Sequence, residues 1–214
     1  MEGRDGGPAG GNPPVVSVKK AIKGGSAMVL INENDRERAE LYRLFAGLFM
    51  TLPTDEVLMQ FRDMFRVRFS ETPDEIGMDF AHIFLGPWKH LPPYESVYSY
   101  SPGDIPGSWR RTVKEVQAFY HSTGLVLHDQ VDLSPDHLSA ELLFMSYLAE
   151  NDLVKYQRLF FERHLFRWVP DYCDLVYGHA FTSFYKEVAN LLKKFILFEY
   201  EELEIQKGYI ESFP

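Results

Sequence analysis

The sequence contains a single cysteine, Cys173, among its 214 residues. One thiol cannot form an internal disulfide, a dithiol redox pair or a thiolate metal cluster. The chain therefore suits a reducing compartment, and we expect it to be cytoplasmic.

Long hydrophobic runs are also missing. The apolar stretch at residues 195–198 is interrupted by acidic residues and falls well short of the roughly 18 apolar residues that cross a bilayer. The sequence therefore predicts no membrane-spanning segment. The acidic residues that follow are predicted to form a solvated helix face, as charge runs usually do. They are Glu199, Glu201, Glu202 and Glu204.

The sequence carries no motif of a familiar enzyme or metal site. Its seven histidines are scattered, without the four-residue spacing that places two ligands on one helix face. It has neither a Gly-x-Ser-x-Gly nucleophile elbow nor a glycine-rich phosphate loop followed by lysine. We therefore expect no cofactor, no bound metal and no catalytic turnover.

Acidic side chains outnumber the cationic ones, and the formal net charge is −9. Nucleic-acid binding relies on clustered lysine and arginine that displace counterions from phosphates, so this charge disfavours DNA and RNA as partners. A basic peptide suits the charge better.

Apolar residues are plentiful, at 45% of the chain, which is enough to bury a normal core. Residues 1–27 are rich in glycine and proline and show no period, so we exclude them from the fold as a flexible extension or an expression remnant. Met28 is a candidate natural start. Residues 28–214 are predicted to form a single all-α, bundle-like domain.

The apolar residues recur at helical spacing from about residue 36 onward, and capping residues stand at the starts of the segments. Asn34 with Glu37 resembles a capping box. The predicted helices run from about residue 34 to 52, 54 to 65, 73 to 85, 108 to 122, 134 to 149, 153 to 168 and 170 to 206, the last with a break near Gly178. Residues 86–107 hold too many prolines and glycines for a helix interior and predict a long ordered loop.

Three segments stand out together along the chain. Residues 84–88 read Phe-Leu-Gly-Pro-Trp and lead to Pro-Pro-Tyr-Glu-Ser-Val-Tyr at residues 92–98. Residues 135–138 read Pro-Asp-His-Leu, and residues 160–165 read Phe-Phe-Glu-Arg-His-Leu. In these segments the chain resembles the TorD, DmsD and NarJ family of redox-enzyme maturation chaperones, and the resemblance extends from about Arg36 to about Leu192.

The resemblance implies an all-helical TorD-like fold without turnover. It also implies that the chain binds the N-terminal leader, often of twin-arginine type, of a molybdopterin-dependent oxidoreductase subunit. Binding would hold that subunit back from export or membrane docking until its cofactor is inserted. A monomer and a helix-swapped dimer both remain open.

A leader with two guanidinium groups and an apolar segment needs carboxylates beside an aromatic groove. Trp88, Tyr94 and Tyr98 are candidate aromatic anchors, and Asp136 and Glu141 are candidate guanidinium partners. The resemblance carries over the Asp-His pair and further positions of the leader-binding region. The predicted leader-binding residues are Phe80, Ile83, Trp88, Pro93, Tyr94, Tyr98, Gly124, Pro135, Asp136, His137 and Glu141.

Each of these residues also has a structural interpretation. Tyr94 and Tyr98 can attach the loop to the core, and Asp136 at the second position of a helix can interact with the exposed amides. His137 can be a packed histidine. Phe160, Phe161, His164, Leu165 and Trp168 are assigned to the core, as an apolar face at helical spacing.

Two further classes of function compete with the chaperone hypothesis. One is a helical hydrolase or metal-dependent enzyme with an unrecognised site, and the other is a structural adaptor. The missing nucleophile and ligand motifs disfavour the enzyme. The aromatic residues grouped on a proline-rich loop disfavour a featureless adaptor.

Overall fold

The computed structural model describes residues 35–86, 90–99, 107, 109–125 and 133–211, with side chains described up to residue 203. In these ranges the chain is helical, which confirms the all-α prediction. The extension predicted at residues 1–27 and the cap predicted at Asn34 lie outside the described residues. The helices are α1 (Asp35–Met50), α2 (Asp55–Phe65), α3 (Pro73–Phe80), α4 (Glu95–Tyr98), α5 (Trp109–Ser122), α6 (Leu138–Glu150), α7 (Val154–Arg163), α8 (Leu165–His179) and α9 (Ser183–Glu211).

Local capping signals explain the starts of α2 and α3. The Thr54 side chain accepts a hydrogen bond from the Val57 N–H at the start of α2. At α3, Thr72 and Glu75 form a reciprocal capping box, as the sequence predicts. The chain continues from α3 as one π-helical segment, Ala81–Leu85, so the predicted helix ends where expected.

Two predicted helix boundaries were wrong. The helix expected from residue 134 begins at Leu138, and His137 caps it. The break expected at residues 168–170 falls at His164, whose φ of −122° and ψ of −89° lie outside the helical region. Pro170 therefore lies inside α8, and the next break follows His179.

Nearly all of these helices pack around one hydrophobic core. Helix α1 packs along α6, α8 packs along α9, and α7 contacts α6, α8 and α9. Residues assigned to the core from the sequence are buried, which confirms that prediction. They are Phe160, Phe161, His164, Leu165 and Trp168.

Glu199 was wrongly predicted to lie on a solvated face. It is fully buried, and its carboxylate accepts hydrogen bonds from Arg38 Nη2 at 2.6 Å and from Tyr42 Oη at 2.7 Å. Gln157 accepts a further bond from the same guanidinium at 3.2 Å. A buried carboxylate needs such a partner, because its transfer from water is costly. Glu201, two positions later, is exposed.

The start of α9 is held by carboxylates from elsewhere in the chain. Asp79 of α3 accepts hydrogen bonds from the backbone N–H of Phe181 at 3.2 Å and of Thr182 at 2.8 Å. Glu71 accepts from the backbone N–H of Ser183 and from its hydroxyl, the latter at 2.8 Å. These bonds satisfy N–H groups that a helix start leaves without partners. Across the described helices, none is long and apolar enough to span a membrane.

Candidate functional site

The two predicted binding segments, residues 92–98 and residues 134–138, lie against each other. Tyr94 and His137 form an isolated antiparallel bridge between them. Their rings also meet edge to face, with centroids 5.0 Å apart. We call this pairing of the two segments the loop clasp.

Backbone hydrogen bonds close the loop clasp on both sides of that bridge. The Leu138 N–H donates to the Pro93 carbonyl at 2.8 Å, and the Glu95 N–H donates to the Asp136 carbonyl at 2.9 Å. The Ser96 N–H then donates to the Asp136 side chain at 3.1 Å. The short helix α4 therefore starts on a carboxylate supplied from 40 positions away.

Asp136 is 1% exposed, and both of its carboxylate oxygens have partners. The second oxygen accepts from the Ser134 hydroxyl. Because α6 begins only at Leu138, Asp136 does not occupy the second position of a helix, and that structural interpretation was wrong. Its carboxylate instead satisfies an N–H at the start of α4.

His137 is the N-cap of α6. Its Nδ1 accepts a hydrogen bond from the Ser139 N–H at 3.0 Å, which requires a neutral ring with a free lone pair. Burial lowers the pKa of His137 to about 4, although the nearby Asp136 carboxylate acts in the opposite direction. The ring is therefore neutral at neutral pH and keeps the cap intact.

Glu95, the first residue of α4, points into the protein and is 3% exposed. Its Oε2 lies 2.8 Å from Nδ1 of His164, which is also buried. His164, the residue between α7 and α8, therefore anchors α4. Apart from the position of Glu95 within the Pro-Pro-Tyr-Glu motif, no sequence pattern predicts this contact.

Glu141 lies beside this pair and is fully buried. The Trp168 indole N–H donates to its Oε2 at 3.2 Å. Burial and the neighbouring Glu95 carboxylate raise the pKa of Glu141 well above its usual range. The raised pKa favours the protonated form of Glu141, which can donate a hydrogen bond to Glu95.

The predicted aromatic residues differ in exposure. Tyr98 is half-buried and stacks on Trp168 with ring centroids 5.6 Å apart, and burial raises its pKa to about 12. Tyr94 is half-buried at the clasp. Val97 between them is 50% exposed and is the most open side chain of the helix.

The remaining predicted residues lie in several different places. Phe80 and Ile83 are buried in the core, and Gly124 has a φ of +82° just after α5, where glycine avoids a steric cost. Pro135 contributes its carbonyl, which accepts from the Tyr120 hydroxyl at 2.7 Å. Trp88 lies outside the described residues.

The structure therefore brings Pro93, Tyr94, Pro135, Asp136 and His137 together in the clasp, with Tyr98 and Glu141 on its buried side. Within the part of the chain that is described, no group of three or more His, Cys, Asp or Glu side chains is arranged to hold a metal ion.

Comparison with known proteins identifies relatives of this chain. The chain is 29% identical over 138 residues to the perchlorate reductase assembly chaperone protein of Dechloromonas aromatica (strain RCB), with 58% of this chain and 62% of that protein covered. It is 28% identical over 133 residues to the chaperone protein YcdY of Escherichia coli (strain K12), covering 61% and 66%.

A third relative is the Tat proofreading chaperone DmsD of Salmonella typhi, 27% identical over 143 residues and covering 64% of this chain and 65% of that protein. The matches thus span less than two thirds of the length of each of these relatives. A solved structure of a putative redox enzyme maturation protein from Archaeoglobus fulgidus matches with a TM-score of 0.48 and 18% identity, over 74% of this chain and 93% of that one.

The family model described as nitrate reductase delta subunit matches residues 50–174. This range contains the loop clasp, the Glu95–His164 contact and the three motif segments. The resemblance to the redox-enzyme maturation chaperones is confirmed, and the chain belongs to the nitrate reductase delta subunit family.

Proposed function

We propose that this protein is a cytoplasmic chaperone, and not an enzyme, that binds the N-terminal leader of a molybdopterin-dependent oxidoreductase subunit. It holds the subunit for cofactor insertion before export or membrane docking. The observation that carries the proposal is the loop clasp, formed from two motif segments inside the range that matches the family. The names of the relatives, an assembly chaperone for perchlorate reductase and a Tat proofreading chaperone, support it.

The outer edge of the clasp suits the apolar part of a leader. Tyr94 is half-buried and Val97 is 50% exposed. Aromatic side chains on a proline-stiffened segment lose little entropy on binding, so they make efficient anchors. The leader's apolar segment therefore packs on this edge.

The leader's arginine is proposed to bind Asp136. That carboxylate is buried and already has two partners, Ser96 and Ser134. A guanidinium that replaces the Ser96 N–H brings a full positive charge to the carboxylate, and it can bond both oxygens at once. Leader binding is therefore proposed to loosen the start of α4.

Calorimetry with a synthetic leader peptide tests the proposal. The peptide carries two adjacent arginines followed by an apolar segment, and it is titrated into the full chain. Tyr94→Ala should weaken binding at every salt concentration, because it removes apolar contact. Asp136→Asn should weaken binding by about 1–3 kcal/mol, because it removes a charge-assisted hydrogen bond at a buried carboxylate that salt screens little.

The matched control is Tyr177→Ala, which removes a 51% exposed tyrosine of α8 that lies outside the clasp. Its affinity for the peptide should equal that of the parent. Thermal melts of each variant separate loss of folding from loss of binding. If Tyr94→Ala and Asp136→Asn melt earlier yet bind as tightly as the parent, the clasp is structural and the leader binds elsewhere.

A further inference from the structure

A groove lined by cationic side chains runs along α5 and reaches the junction of α7 with α8. Two adjoining cavities form it, and both are lined by Glu115 and Ala118. The larger, of about 540 Å³, lies between α5 and that junction, and the described residues that line the smaller, of about 360 Å³, are all on α5. We call it the basic groove. Its cationic side chains are Arg110, Arg111, Lys114, Arg163 and Arg167.

The charge of the basic groove is opposite to that of the whole chain, which carries −9. One arginine is neutralised, because Arg111 pairs with Glu115 at 2.8 Å. Lys114, Arg163 and Arg167 are exposed, and they take part in none of the ion pairs formed among the described residues. Concentrating cations on an otherwise acidic surface creates a local attraction for anionic groups.

The floor of the groove is apolar and aromatic. Phe119 is half-buried there and packs edge to face on His164, with ring centroids 5.3 Å apart. It packs in the same manner on Phe160, also at 5.3 Å. Ala118 is exposed beside it. An apolar floor between cationic rims suits a ligand with an apolar side chain flanked by carboxylates.

The length of the groove sets the size of that ligand. The α5 residues that line it run from Arg110 to Ser122. At a rise of about 1.5 Å per residue they cover about 18 Å. An extended peptide advances about 3.3 Å per residue, so five or six residues fill the groove.

The geometry points to a second binding surface, at which the basic groove holds an acidic, extended segment of a polypeptide partner. It is distinct from the loop clasp, which suits an arginine-bearing segment. A peptide fits better than a nucleic acid, because a long polyanion extending beyond the groove meets a chain of net charge −9. The apolar floor also gives a peptide side chain a contact that a phosphate backbone lacks.

Fluorescence anisotropy with the peptide Asp-Glu-Phe-Glu-Asp-Leu, labelled with a neutral dye, tests this surface on the full chain. The parent should bind it, with an affinity that falls as sodium chloride rises from about 20 to about 500 mM. The double variant Lys114→Glu with Arg167→Glu should bind about tenfold or more weakly, because two attractive contacts become repulsive. The matched control, Lys155→Glu with Lys194→Glu, makes the same change in charge at exposed lysines outside the groove and should bind within about twofold of the parent.

Two further probes keep the test independent of protein variants. A peptide with Asn and Gln at the acidic positions should lose binding, and one with Ser in place of Phe should bind more weakly at every salt concentration. A hexathymidylate is the nucleic-acid probe and should bind more weakly than the acidic peptide. Equal loss in the groove and control variants, no binding of the acidic peptide at low salt, or tighter binding of the oligonucleotide would each overturn the inference.

Discussion

The Asp136 carboxylate accepts a hydrogen bond from the Ser96 backbone N–H at 3.1 Å, so the start of α4 depends on a residue 40 positions away. Asp136→Asn removes the charge and one acceptor oxygen from this buried position. We expect the free energy of unfolding to fall by about 1–3 kcal/mol. Urea titration measures the change, and Asp171→Asn, at an exposed aspartate of α8, is the control. Equal stability of the parent and Asp136→Asn would contradict this role.

His137 should make stability depend on pH in the acid range. Its folded pKa of about 4 lies below the ordinary 6.5, so its contribution is complete above 6.5 and is lost as pH falls towards 4. The loss should reach about 3 kcal/mol at 1.4 kcal/mol per pKa unit. His137→Asn keeps a side chain that caps helices well but does not titrate. The unfolding free energy of this variant should therefore fall less steeply as pH drops from 6.5 to 4. An unchanged dependence on pH would rule out the His137 cap as its cause.

Glu141 should act in the opposite direction. Its pKa is raised in the folded protein, so its contribution is complete below about 4.5 and is lost as pH rises towards the folded pKa. Glu141→Gln keeps a donor for Glu95 and an acceptor for the Trp168 indole, but it cannot ionise. We expect the variant to gain stability relative to the parent as pH rises from 5 to 8, by about 1.4 kcal/mol per unit of pKa shift removed. Chemical denaturation at several pH values measures it, and a constant difference between the two proteins would refute a raised pKa.

Breaking the buried Arg38–Glu199 pair should destabilise the protein strongly, because it leaves a buried guanidinium without its main counter-charge. Glu199→Gln leaves the guanidinium with Asp35 and Gln157 but without its main counter-charge. Removing one partner of a buried ion pair costs about 3–5 kcal/mol, and we expect the lower end because two partners remain. Glu201→Gln, at the exposed neighbour, should change stability by less than about 0.5 kcal/mol in the same urea titration. Similar losses of stability in both variants would show that the buried pair matters no more to stability than an exposed glutamate.

The helices could be predicted from sequence where their signals are local. Thr54 and the Thr72–Glu75 capping box lie within one turn of the amides that they satisfy, so a sequence pattern contains them. The break at His164 could not be predicted in this way. The predicted break lay at residues 168–170, whereas the observed break occurs where His164 meets Glu95, 69 positions away in the sequence.

In the candidate site, too, some features could be predicted from the sequence and others depend on contacts between distant residues. The motif segments predicted that residues near 94 and 136 lie together, and they do. The sequence could not show that Asp136 turns inward to α4, or that Glu141 and Glu95 share a buried position with Trp168. Burial depends on what packs from other helices, and a single sequence contains no record of those contacts.

Site-specific photo-crosslinking tests whether a leader peptide binds at the loop clasp. A photoreactive benzoylphenylalanine replaces the exposed Val97, or Leu175 on α8 as a control of 47% exposure. After irradiation with a leader peptide of two arginines and an apolar segment, mass spectrometry locates the crosslinks. We expect the peptide to be captured from position 97 and not from 175, with capture abolished by excess unlabelled leader. Capture at 175 with none at 97, in a protein that still binds the leader, would show that the leader does not bind at the loop clasp.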